Sequence, residues 1–210
     1  MITEYFAQTF DAISTKIAEH GICVMDNFVS IELVTELAQE IQALHNLANL
    51  HHAGTGAGVA TVNKALRGDL ITWLNEEQAS LAQKLYFEKM ELLRLNLNAN
   101  LYLGLFALES HLTVYPAGSE YKKHIDRFKN RQVSDLKPVR QISCILYLNA
   151  NWEDHFGGQL RIFASNQSEA FLDISPIGGR LVVFLSDTFY HAVLPATEDR
   201  MSIAGWFLAR

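Results

Sequence analysis

The sequence predicts an α+β fold: a double-stranded β-helix of jelly-roll type with N-terminal helices packed on one sheet. Three observations predict it. Residues 1–100 contain long stretches with apolar side chains at helical spacing; near Asn100 the composition shifts to short apolar or alternating runs separated by Pro, Gly and Asn; and eight or so such runs follow, with long connections. At 210 residues the chain can bury most of its apolar surface as one domain and is short for two. One domain is expected over 1–210, with 1–100 as mainly helical support and 101–210 as the β core.

Taken in order, Phe6, Phe10, Ile13 and Ile17 recur at helical spacing, which predicts an amphipathic helix from about Ile2 to Glu19. Gly21 releases a short strand, Ile22 to Val24. Ser30 is placed to cap a second helix whose apolar stripe is Ile31, Val34, Leu37, Ile41 and Leu44, and His45 in its last turn suits the helix dipole. The glycine-rich stretch from His51 to Gly58 has no preceding strand and no following Gly-Lys-Ser/Thr, so it reads as a surface loop and not as a phosphate cradle. Arg67-Gly-Asp69 leads into a strand, Leu70 to Trp73. Asn75 is expected to cap a long helix reaching Asn98, with Leu81, Leu85, Leu92 and Leu95 on its buried side. Strands are then expected near 101–106, 111–115, 121–124, 140–149, 159–163, 170–174, 181–185, 191–193 and 202–208.

Composition narrows the function. The chain is 49% hydrophobic and 19% charged, with no low-complexity tract, and its formal net charge of −6 lacks the basic footprint of a nucleic-acid binder. The opening residues have neither a basic leader nor an apolar core, and no apolar run is long enough to span a bilayer, so neither a signal peptide nor a membrane protein is expected. Cys23 and Cys144 sit in apolar runs and read as buried free thiols, consistent with a cytoplasmic setting.

The chemistry concentrates in the stretch from Tyr115 to Asp126. His124 and Asp126, one residue apart, project from one face of an extended segment. They need a third ligand, and His191, just after the apolar run Leu181 to Leu185, is the best donor. Two imidazoles and one carboxylate can occupy one face of an octahedral ion and leave three positions open, the arrangement of non-haem Fe(II) oxygenases. Nine residues after His191 stands Arg200, and period-two geometry puts Arg200, Ser202, Ala204 and Trp206 on one side of a strand. A guanidinium pointing inward needs an anion, and the far carboxylate of a 2-oxo dicarboxylic acid suits its fork. His20, His111 and His155 have no acid partner on a shared strand face and read as surface or core packing residues, while Trp73 and Trp152 read as packing residues; Trp206 is placed to line a substrate mouth. These residues alone leave open a non-catalytic jelly-roll module that binds a small acid or metal.

Beyond the site, the chain resembles prolyl hydroxylases of the hypoxia-inducible-factor type, within the 2-oxoglutarate and Fe(II)-dependent oxygenases. The resemblance is carried by His20-Gly-Ile-Cys-Val24, Arg67-Gly-Asp-Leu-Ile-Thr-Trp73, Tyr115-Pro116, Tyr121 with His124-Ile-Asp126, Cys144-Ile-Leu-Tyr-Leu-Asn149, Gly157-Gly-Gln-Leu-Arg-Ile-Phe163, and His191 with Arg200. It implies that His124, Asp126 and His191 bind iron, that Arg200 and Tyr147 hold the distal carboxylate of 2-oxoglutarate, and that Tyr115 is a further cosubstrate contact. Ser202 forms an Arg-x-Ser pattern similar to other branches of the superfamily, where the serine also binds the oxoacid. The chain departs from the pattern at Ala204, where the animal enzymes carry threonine, and in a segment from Tyr115 to His124 that is one residue shorter.

The resemblance also implies an activity. It is prolyl 4-hydroxylation of a protein, with Fe(II), 2-oxoglutarate and O2 required, ascorbate as a further cofactor, and succinate and CO2 as co-products; an oxygenase acting on another protein residue or a small molecule is the alternative. Bacterial members of the resembled family are associated with elongation factor Tu, which makes an exposed prolyl loop of that protein the first candidate substrate. The segment from Lys122 to Arg140 carries seven basic residues against Asp126 and Asp135, a net +5 in an acidic chain. Because it leaves the His-x-Asp pair and returns in the strand bearing Tyr147, it is expected to act as a lid on the substrate, through Arg127, Lys129 and Arg131.

Overall fold

The structure is a computed structural model and describes residues 2–54, 66–127 and 138–210. Its helices are α1 (Ile2–His20), α2 (Ile31–Asn46) and α3 (Leu81–Leu101). Among them run β1 (Ile22–Met25), β2 (His51–His52) and β3 (Leu70–Trp73); then follow β4 (Ala107–Tyr115), β5 (Tyr121–His124), β6 (Val139–Tyr147) and β7 (Leu160–Phe163). The chain closes with β8 (Ala170–Ile174), β9 (Leu181–Leu185), β10 (Tyr190–Val193) and β11 (Arg200–Ala209). A large antiparallel sheet has the order β1-β9-β6-β11-β4-β3-β2, and a small one the order β5-β10-β7-β8. The two sheets form the double-stranded β-helix.

Strand alternation divides the buried residues into two cores. One face of the large sheet, with Leu112, Leu146 and Phe207, joins Ile13 and Ile17 of α1, Val34, Leu37 and Ile41 of α2, and Met90 and Leu93 of α3. The other face, with Tyr115, Tyr147 and Phe184, meets Leu160, Ile162 and Val193 of the small sheet. The second layer holds the polar cleft. Ser30 caps α2 by accepting from Leu33 N at 3.4 Å, as its position in the sequence predicts.

α3 departs from expectation at its start and in its face. Asn75 caps only the short 3-10 turn Glu76–Gln78, while Ser80 caps α3 by accepting from Gln83 N at 3.1 Å. The residues expected inside are outside: Leu81, Leu85, Leu92 and Leu95 are 75%, 43%, 51% and 50% exposed, and Ala82, Tyr86, Met90, Leu93 and Leu97 are buried. Both stripes have helical spacing, so periodicity could not choose between them; packing against α1 and α2 did. Leu93→Ala should therefore cost about 2–5 kcal/mol, whereas Leu92→Ala should stay within about 0.5 kcal/mol. Urea unfolding of the two variants checks this; equal losses would contradict the assigned face.

The expected strand at 101–106 is also absent, because α3 ends there in a turn. Tyr102 lies at φ 55° and Gly104 at φ 65°, and the Asn98 side chain bonds both Leu105 N (2.8 Å) and Leu105 O (2.7 Å), so this backbone pairs with the helix end until β4 begins. His51 and His52, expected in a loop, pair with Ile71 and Leu70 at the edge of the large sheet; residues 55–58 of that stretch lie outside the described residues. Trp73 is half exposed at the same edge, so it is not a core residue; Trp152 does pack, on Phe156, and donates to Gly157 O at 3.1 Å. Cys23 and Cys144 are buried and free. No helix among the described residues is long and apolar enough to cross a membrane.

Candidate active site

β5 and β10 pair with His124 opposite His191, which brings together residues far apart in the chain. Asp126 follows β5 directly. His124 Nε2 lies 3.7 Å from Asp126 Oδ1 and His191 Nε2 lies 3.7 Å from Asp126 Oδ2, so one ligand atom from each residue falls within 4.8 Å of the others. The outer ring nitrogens are engaged by carbonyls, His124 Nδ1 with Lys122 O at 2.9 Å and His191 Nδ1 with Phe189 O at 3.2 Å. A carbonyl only accepts, so each Nδ1 carries the proton and each Nε2 presents its lone pair to the centre. The group can hold one metal ion.

Electrostatics suit that task. Burial and the neighbouring His191 push His124 down to about 3 against the pull of Asp126, so its imidazole is neutral near pH 7. Burial opposes ionisation of Asp126, but His191, His124 and hydrogen bonds from Ser143 and Trp206 outweigh it and hold the carboxyl at about 2. Both protonation states are those a metal requires.

The triad faces a cleft whose inner end is closed by Arg200, with Tyr115 and Ser202 in its walls. Arg200 is 1% exposed, donates Nε to Gly158 O at 2.9 Å, and holds its guanidinium 4.9 Å from the Tyr147 ring centre and 5.2 Å from that of Tyr115. Arg200 Nη2 and the Tyr147 hydroxyl are buried without a hydrogen-bond partner, and no carboxylate among the described residues pairs with the guanidinium. A buried cation and hydroxyl left this way are costly unless an acceptor completes them. An oxoacid carboxylate fits that requirement.

Several cleft residues were not assigned from the sequence. Arg67 grips the buried Asp69 through two bonds of 2.6 and 2.7 Å and lies 4.7 Å over Tyr121, which stacks on His124 at 3.5 Å. Their shared motif was visible, but no local pattern said that it buttresses a ligand. His111, expected to be a surface or packing residue, is a cleft wall: it is buried, hydrogen-bonded to Thr113 at 2.7 Å, and contacts Trp73 and Trp206. His20 and His155 are exposed, as expected. Arg127, expected to meet the substrate, is not among the residues that line the cleft: it donates to Gln141 (2.8 Å) and pairs with Asp187. Lys129 and Arg131 lie outside the described residues. At the mouth, Trp206 carries Arg140 on its face at 3.5 Å, and Glu109 bonds Arg140 at 2.7 Å.

A double-stranded β-helix with a His-x-Asp and distant His triad above a buried arginine defines the class of 2-oxoglutarate and Fe(II)-dependent oxygenases. The family model described as the 2OG-Fe(II) oxygenase superfamily matches residues 110–208. A prolyl-4-hydroxylase from Pseudomonas putida superposes with TM-score 0.82 and 36% identity, covering 95% of this chain and 98% of that one. A prolyl hydroxylase from Trichoplax adhaerens, solved with a hypoxia inducible factor peptide, gives TM-score 0.84 and 26% identity over 98% of this chain and 91% of that one. Human Egl nine homolog 1 is 31% identical over 90% of this chain, which spans only 44% of that protein's length. The chain belongs to the prolyl hydroxylase family of these oxygenases.

Proposed function

We propose that residues 1–210 act as one unit, a prolyl 4-hydroxylase that modifies an exposed loop of a protein in the cytoplasm. The observation that carries this reading is the triad facing a cleft lined at its inner end by Arg200, whose Nη2 is unmatched and whose guanidinium lies 4.9 Å from the ring of Tyr147, a buried residue with an unmatched hydroxyl. In it, His124, Asp126 and His191 hold Fe(II), Arg200 and Tyr147 bind the distal carboxylate of 2-oxoglutarate, and Tyr115 and Ser202 complete its pocket. Iron with 2-oxoglutarate and O2 supplies the oxidising chemistry, with succinate and CO2 as co-products. The chain's own contribution is to bind, orient and exclude water. Arg200 and the hydroxyl fix one end of the cosubstrate, and the imidazoles present unprotonated nitrogens at the other. His111 and Trp206, which touch each other and line the cleft, offer aromatic surface against which a prolyl ring can lie.

The relatives support a protein substrate, since one of them was solved with a peptide of hypoxia inducible factor. Elongation factor Tu is the first candidate here. Incubating the enzyme with Fe(II), 2-oxoglutarate and this factor, then mapping tryptic peptides by mass spectrometry, should show one added oxygen on a prolyl residue. An unmodified factor beside a hydroxylated proline elsewhere in a lysate would discard the partner and keep the activity. A lysate without any newly hydroxylated prolyl peptide would remove the activity.

A further inference from the structure

The hydrogen bonds that hold Asp126 fall on one of its two carboxylate oxygens. Its Oδ2 accepts from Ser143 Oγ at 2.6 Å and from Trp206 Nε1 at 2.9 Å. The two donors are directly opposite each other on the central strands β6 and β11, so the sheet register itself aims both at one oxygen. Ser143 Oγ lies a further 2.9 Å from Ser186 Oγ, which is fully buried. Because the single Ser143 hydrogen goes to the carboxylate, Ser186 must donate to Ser143, and the three groups form a chain polarised toward Asp126.

We infer that Ser143 and Trp206 are positioning residues that confine Asp126 to metal binding through Oδ1 alone. Each carboxylate oxygen lies 3.7 Å from one imidazole Nε2, so what separates them is hydrogen bonding: two donors occupy the lone pairs of Oδ2 and leave those of Oδ1 for the metal. The functional consequence would lie at the ion that His124, Asp126 and His191 would hold: a carboxylate kept to one oxygen would leave more of it open to the oxoacid and oxygen than one bound through both. The indole that supplies one of these bonds also carries Arg140 at the mouth, so Trp206 joins the substrate entrance to the ligand carboxylate.

The alternative is that these bonds merely satisfy a buried carboxylate. Co(II) titration separates the two, because its affinity and visible absorption report coordination without any turnover. Ser143→Ala and Trp206→Phe should each weaken Co(II) binding roughly 10- to 100-fold and change the absorption bands, while Ser143→Thr, which keeps the hydroxyl, should retain wild-type affinity and spectrum. Unchanged affinity and spectrum in the Ala and Phe variants would overturn the inference, as would a loss in Ser143→Ala that Ser143→Thr shares. The inference rests on the metal-site reading above; a wild-type protein that binds no Co(II) would defeat both, and unchanged variants would defeat this inference alone.

Discussion

Replacing His191 with Ala should abolish metal binding and 2-oxoglutarate turnover together while the protein stays folded. His191 is buried, and its Nδ1 bond to Phe189 O leaves Nε2 for the metal. Partners outside the ligand set are worth roughly 10- to 100-fold in metal affinity, so removing a ligand itself should cost more than that. Calorimetric titration with Fe(II) or Co(II) under exclusion of oxygen, together with succinate release and circular dichroism, checks each part. Wild-type metal affinity in His191→Ala would remove His191 from the ligand set, and with it the reading of the cleft.

The second large effect is expected at the opposite end of the cleft. Arg200→Lys keeps a positive charge but loses the planar fork, the Nε bond to Gly158 O and the stacking between Tyr147 and Tyr115. Breaking a buried charge pair costs about 3–5 kcal/mol, and the lower end of that range corresponds to a loss of roughly 100-fold in 2-oxoglutarate affinity. Metal affinity should hold, because Arg200 is not among the clustered ligand atoms. Titrating each in turn decides the point: a parallel fall in both affinities would make Arg200 a structural residue and not a carboxylate anchor.

Much of this site was legible because its signals are local. A His-x-Asp pair shares one face of an extended segment by the period of a strand, and the same period puts Arg200, Ser202, Ala204 and Trp206 on the cleft side of β11, where all four are found. Ser30 was readable as a cap because a helix start needs a side-chain acceptor within three residues. By contrast, the basic segment after Asp126 invited a substrate role for Arg127, and nothing along the chain revealed that Asp187, 60 positions away, already pairs with it.

The sequence by itself determined the helical first half, the strand-rich second half, the His124 and Asp126 pair and the inward arginine, since each follows from residue type and spacing between near neighbours; His191 was only the best donor for a third ligand, and the pairing of β5 with β10 brings it opposite His124. Only the tertiary structure decided which stripe of α3 is buried, that His111 is a cleft wall, and that Asp126 is tethered by Ser143 and Trp206, 17 and 80 positions distant. The physical reason is the same in each case. A helix with two apolar stripes, an imidazole without a nearby acid and a carboxylate with two free oxygens are all locally permissive, and the packing of α3 and the pairing register of β4, β6 and β11 select among their options through contacts that no short window of sequence contains.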